Sequence, residues 1–161
     1  MPKINVPGTG HGEFTSPAGN RYWEYKDDKI KKILDQAIWI IQHSVTRMKS
    51  CDDCFKALPG GRNFNDVWKD DRIWINFEPR ADRDWYGITF GVGGTDISIS
   101  QSAFDKGRWW VAGTLVHELA HTNGATITSK DADKTLLKCG LVSAYEGVIG
   151  VQSVAKKDFY V

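Results

Sequence analysis

The stretch from Arg108 to Asn123 reads as one continuous helix with almost entirely apolar sides, because Trp109, Ala112, Leu115, Val116, Leu119 and Ala120 recur around its circumference. A helix of that kind belongs inside a domain, covered on more than one side. Set into it are His117, Glu118 and His121, three groups that are costly to desolvate without partners. Residues four apart project from one helix face, roughly 6 Å apart along the axis, so both imidazoles can reach one shared partner. A metal ion satisfies both. Glu118, one step round the helix, is left to take a proton from a neighbouring water without ligating. The spacing His-Glu-x-x-His is therefore read as two zinc ligands, His117 and His121, and a general base, Glu118.

A catalytic zinc takes a third protein ligand and keeps its fourth position for water. Gly124 ends the helix and lets the chain turn back. A carboxylate beyond that turn is the expected third ligand, with Asp133 preferred and Asp131 and Glu146 as alternatives. Lys130 to Lys138 reads as a second helix closed by Gly140. If Asp131 caps it, Asp133 is free to face the metal, although either acid can simply interact with the helix N-terminus. Glu146 has a longer spacing and lies in Tyr145-Glu146-Gly147 without a clear helical frame. Tyr145 is the nearest downstream tyrosine able to act as a second donor to a tetrahedral oxyanion, with Tyr86 and Tyr160 also available. His43 is read as a satisfied core or boundary histidine, and His11 as solvated in a Gly-rich leader.

These residues make the chain similar to the zincin metallopeptidases. The metzincin pattern HExxHxxGxxH is followed through His121-Thr-Asn-Gly124, but Ile127 stands where the third histidine would be. An acidic third ligand would instead resemble the aspzincins, the deuterolysin and peptidyl-lysine endopeptidase group. Their acid follows a Gly-Thr pair, which Gly124-Ala-Thr126 and then Asp131 match loosely. Trp74 to Leu141 also looks like compact bacterial metallopeptidase domains of secreted toxins and type VI secretion effectors. The resemblance implies an α+β, zincin-like domain with a long N-terminal helix, a short and mostly antiparallel sheet, and a buried HExxH helix. It also implies a Zn2+ cofactor and hydrolysis of peptide or protein substrates by a zinc-activated water, with Glu118 as the base. A toxin of this type would have a cognate inhibitor or immunity protein. Two other readings stay open: a zinc amidase acting on cell-wall crosslinks, and a non-catalytic toxin or binding module with structural zinc.

The 161 residues are expected to form a single domain, with residues 1–20 as a flexible leader. Twenty-one basic against twenty acidic side chains give no electrostatic case for nucleic acid. The apolar runs are too short to span a bilayer. Met1 to Gly19 has no hydrophobic stretch of the Sec type, which leaves localisation open, including export by a route that reads no such signal. The odd number of cysteines leaves at least one thiol unpaired within the chain. The preferred pairing is Cys51 or Cys54 with Cys139, tying the loop after the first helix to the helix beyond the active site. Three reduced thiols are the alternative.

Asp27 and Asp28 offer caps to a helix running to about Ser50, with a stripe of Ile30, Ile33, Leu34, Ala37, Ile38, Ile41, Val45 and Met48. A short helix is expected over Phe64 to Lys69. Strands are expected over Arg72 to Phe77, Trp85 to Phe90 and Asp96 to Ser100, with Gly91-Val-Gly-Gly94 as a hairpin turn. Residues 93–101 are the candidate sheet edge along which an extended substrate would add as a strand.

Overall fold

The first residues of the chain, expected to be a leader, are built into its sheets. The computed structural model describes residues 1–141. Within them β1 (Lys3–Ile4) adds parallel to a later strand, while β2 (Phe14–Thr15) and β3 (Arg21–Tyr22) form an antiparallel ribbon. Asn5 is buried between them, donating from Nδ2 to the Gly12 carbonyl at 2.7 Å and to Asn76 Oδ1 at 2.8 Å. A buried amide is tolerated only when bonded, and these bonds fasten the segment to the sheet. His11 is correspondingly not solvated. Its ring stacks on Trp74 at 4.1 Å, and its Nε2 lies 2.7 Å from Asp96 Oδ1.

Helix α1 (Asp28–His43) starts at Asp27, whose carboxylate accepts from the Lys29 and Ile30 amides, and it buries Ile30, Leu34, Ala37, Ile38, Ile40 and Ile41. It stops short of the expected Ser50. The Thr46 hydroxyl donates to the Gln42 carbonyl at 2.7 Å, competing with helix continuation, and a 3-10 turn follows over Val45–Arg47. The chain then resumes as α2 (Lys49–Lys56) and α3 (Phe64–Trp68), the latter capped by Asn63. His43 is exposed at the end of α1, stacked on Trp39 and donating from Nδ1 to the Trp39 carbonyl.

Three more strands follow, β4 (Trp74–Glu78), β5 (Gly87–Thr89) and β6 (Asp96–Ser100), then α4 (Gln101–Lys106), α5 (Arg108–Thr122) and α6 (Asp131–Lys138). The strand order is β1-β4-β6-β5. The sheet expected to be mostly antiparallel is mixed: β1, β4 and β6 run parallel and only β5 runs against them. The reason is positional, since the chain leaving β4 passes β6's place, descends as β5 and turns back to fill the gap as β6. Gly107, at φ +100°, separates α4 from α5. Helix α5 packs against α1, α4 and α6 and against β5 and β6. Every residue from Trp110 to Thr122 is buried, whereas Trp109 at its start is 45% exposed. No helix among the described residues is long and apolar enough to cross a membrane.

Candidate metal centre

Because α5 is enclosed by helices on one side and by β5 and β6 on the other, its one polar stripe faces a cleft of about 490 Å3. His117, Glu118 and His121 line that cleft and are themselves buried. The two Nε2 atoms face each other at 3.1 Å. His121 Nδ1 lies 2.7 Å from the Ala125 carbonyl, which can only accept, so the His121 proton sits on Nδ1 and its Nε2 carries a lone pair. On the other ring, Asp133 Oδ1 approaches His117 Nδ1 at 3.2 Å, out of line for a hydrogen bond, and that Nδ1 is a buried atom without one.

With both rings neutral these three contacts do not balance; they balance either with a second proton on His117, which then donates from Nε2 to His121 and turns an Nδ1–H toward Asp133, or with a metal ion at the two Nε2 atoms. If His117 Nε2 donates to His121 Nε2, the neutral His117 turns a bare Nδ1 lone pair toward the Asp133 carboxylate. If His117 carries its proton on Nδ1 to suit Asp133, two Nε2 lone pairs oppose each other. A metal at the two Nε2 atoms removes both conflicts, and for tetrahedral zinc with bonds of about 2.0–2.1 Å the ligand nitrogens lie a little over 3 Å apart. The separation of the two Nε2 atoms therefore suits two of the ligands of such an ion.

Asp133, the preferred third ligand, lies beside the Nδ1 of His117, the ring nitrogen remote from Nε2. That is the place of a carboxylate orienting a ligand histidine. Asp131 does not cap α6, whose N-cap is Lys130, and instead lies 3.7 Å from Lys134 Nζ. Among the described residues no group of three His, Cys, Asp or Glu side chains is placed to hold a metal ion. Glu146 and Tyr145 lie outside the described residues.

Glu118 is held from β5. Thr89 Oγ1 lies 2.8 Å from Glu118 Oε2 and 3.2 Å from the Glu118 carbonyl. A Cβ on Gly87 would come within 2.5 Å of Thr114 Cγ2 and 2.9 Å of Glu118 Cγ, so the strand can lie this close only with glycine there. The hairpin tip is latched to the same helix by Gly93, whose N–H donates to the His121 carbonyl at 2.9 Å. Burial first, and then the carboxylates of Glu118 and Asp96, hold the Tyr22 phenol above its ordinary range, keeping it protonated. Neither Thr89 nor Gly87 stands out in the sequence. Both sit at alternate positions of one strand, which puts them on one face, but only the pairing shows that this face meets α5.

The expected edge at residues 93–101 is corrected by the ladder. β6 is paired on both sides, to β4 and to β5, so β5 is the edge strand beside the cleft. The bonds Ser100 N–H to Tyr86 O and Phe90 N–H to Asp96 O, each 2.8 Å, fix the ladder's phase. Gly87 and Thr89 consequently turn their backbone groups outward. Trp85, Ile88, Val92, Ile127 and Ala132 give the cleft apolar walls.

Cys51 and Cys139 form a disulfide, and Cys54 is the free thiol. The bridge joins α2 to the end of α6, the helix that carries Asp133, where Ser50 Oγ also donates to the Lys138 carbonyl at 2.7 Å. No family model, curated protein or solved structure matches the chain.

Proposed function

We propose that the chain is a zinc-dependent endopeptidase of the zincin type. The observation that carries this reading is the pair of Nε2 atoms at 3.1 Å, flanked by an anchored Nδ1 on His121 and an unbonded buried Nδ1 on His117. His117 and His121 hold the metal, and Asp133 orients His117. Zinc, when bound, supplies Lewis-acid activation of a water and of the scissile carbonyl. Glu118 takes the proton from the attacking water and returns it to the departing amine nitrogen. The outward N–H and carbonyl of Gly87 and the N–H of Thr89 offer an extended peptide a strand to pair with, the Thr89 carbonyl being taken by the Gly91 N–H at 2.8 Å, and this brings the peptide's own carbonyl alongside α5. The apolar walls exclude bulk water and leave room for apolar substrate side chains.

The reading is tested with Glu118→Gln, zinc-loaded, on an unfolded protein substrate. Zinc stoichiometry is expected to stay unchanged while hydrolysis falls about 10²–10⁴-fold. A variant that cleaves as fast as the unaltered chain would overturn it.

A further inference from the structure

Glu118 has to satisfy two demands that pull apart. It must stay near enough to the metal to reach a water there, yet not swing across and become a ligand itself. A glutamate has three rotatable side-chain bonds and adopts one arrangement in a cleft of about 490 Å3 only if something fixes its end. Two features of β5 do this. Thr89 Oγ1 lies 2.8 Å from Oε2, and the missing side chain of Gly87 makes the hollow beside Oε1, where a Cβ would stand 3.0 Å away.

A hydroxyl has one hydrogen, and Thr89 has two acceptors within reach: the carboxylate at 2.8 Å and the Glu118 carbonyl at 3.2 Å. The charged oxygen is nearer and the stronger acceptor, so the hydrogen goes to Oε2. Oε2 is thereby anchored to the strand, and Oε1 is the oxygen left to receive a proton from the water.

We propose that Thr89 is the positioning residue of the general base, acting through its hydroxyl on Glu118 Oε2; this rests on the peptidase reading above. The same residue turns its backbone N–H to the outer edge of β5, where an extended substrate would pair. Binding a peptide along β5 therefore restrains the strand that aims the base. Thr89 touches neither the reacting atoms nor the metal ligands, so its loss acts on turnover through Glu118.

The test compares Thr89→Val, nearly the same shape without the hydroxyl, with Thr89→Ser, which keeps the hydroxyl and drops the methyl. All are assayed as the zinc-loaded full chain. In Thr89→Val, kcat is expected to fall about 10- to 100-fold with KM within about twofold, the size expected for one hydrogen bond to a charged group. Thr89→Ser is expected to lie within about threefold of the unaltered chain, and zinc content should be equal in all three. The infrared carboxylate bands assigned to Glu118 by difference against Glu118→Gln should shift in Thr89→Val and not in Thr89→Ser. If Thr89→Val turns over at the unaltered rate, or if Thr89→Ser is as impaired as Thr89→Val, the positioning role is wrong while the peptidase reading stands. Should Glu118→Gln itself be fully active, the peptidase reading fails instead. If Thr89→Val does not fold, Thr89→Ser and the infrared bands of Thr89→Ala decide the question: unshifted bands in Thr89→Ala overturn the proposal.

Discussion

His117 and His121 face each other across one turn of α5 with their Nε2 atoms 3.1 Å apart, while Asp133 and the Ala125 carbonyl stand behind them at the two Nδ1 atoms. A metal held by the two rings binds the folded chain and not the unfolded one, so metal binding should appear as added stability. A ligand at about a thousand times its dissociation constant stabilises by roughly 4 kcal/mol, or about 8–16 °C in Tm for a domain of this size. Differential scanning calorimetry with and without zinc should show a rise of that order. His121→Ala should abolish it.

In the proposed site Asp133 would bear on the metal through His117, whose Nδ1 it approaches at 3.2 Å. Asp133→Asn should weaken zinc binding about 10- to 100-fold without abolishing it, as expected for a carboxylate behind a ligand imidazole. Chelator competition measures this directly. Complete loss of binding would place Asp133 among the ligands themselves.

The disulfide holds the α6 end of this arrangement. Cys51 and Cys139 are separated by 88 positions, and closing so long a loop restricts the unfolded chain strongly. Cys51→Ser with Cys139→Ser should lower unfolding free energy by about 2–5 kcal/mol in urea titrations. Cys54→Ser should change it little. Burial is the largest influence on the Cys54 thiol and pushes its pKa up, so alkylation at neutral pH should be slow and should accelerate only above the ordinary thiol range.

Acid should loosen the end of the cleft helix through Asp70. Side-chain hydrogen bonds from Arg72 above all, with the backbone N–H of Arg72 and the guanidinium of Arg62 adding to them, hold the Asp70 carboxyl below the usual range despite its burial. Arg62 in turn offers its carbonyl to Asn123 Nδ2 at 2.8 Å, at the C-terminus of α5. Because the folded pKa is depressed, the stabilisation is fully present above the unfolded value of about 3.9 and is lost as pH falls from there through the lower folded value. The stability gap between the unaltered chain and Asp70→Asn should be constant above about pH 5 and should close below about pH 4. A gap that does not vary between pH 3 and 6 would contradict this.

What could be read from the sequence was what depends on neighbours along the chain. The apolar periodicity of α5, the cap at Asp27 and the strict alternation of β6 each express a local rule, and each element begins where that rule put it. Strand order is not local. That β6 lies inside the sheet and β5 at its edge depends on pairings between segments whose side-chain patterns look alike. The parallel pairing of Lys3–Ile4 was hidden because two residues carry no periodicity, and the polar anchors at Asn5 and His11 resemble those of a solvated leader. At the site, the three helix residues were legible because one helix turn fixes their geometry. Thr89 and Gly87 were not, since their meaning comes from a strand laid across α5 from a distant part of the chain.

The most direct measurement of the central claim is zinc K-edge absorption on the purified, zinc-loaded chain. A single zinc with two imidazole nitrogens at about 2.0–2.1 Å, losing one imidazole or the metal itself in His117→Ala, is the expected result. A chain that retains no zinc after dialysis, or a spectrum without imidazole scattering, would contradict the account.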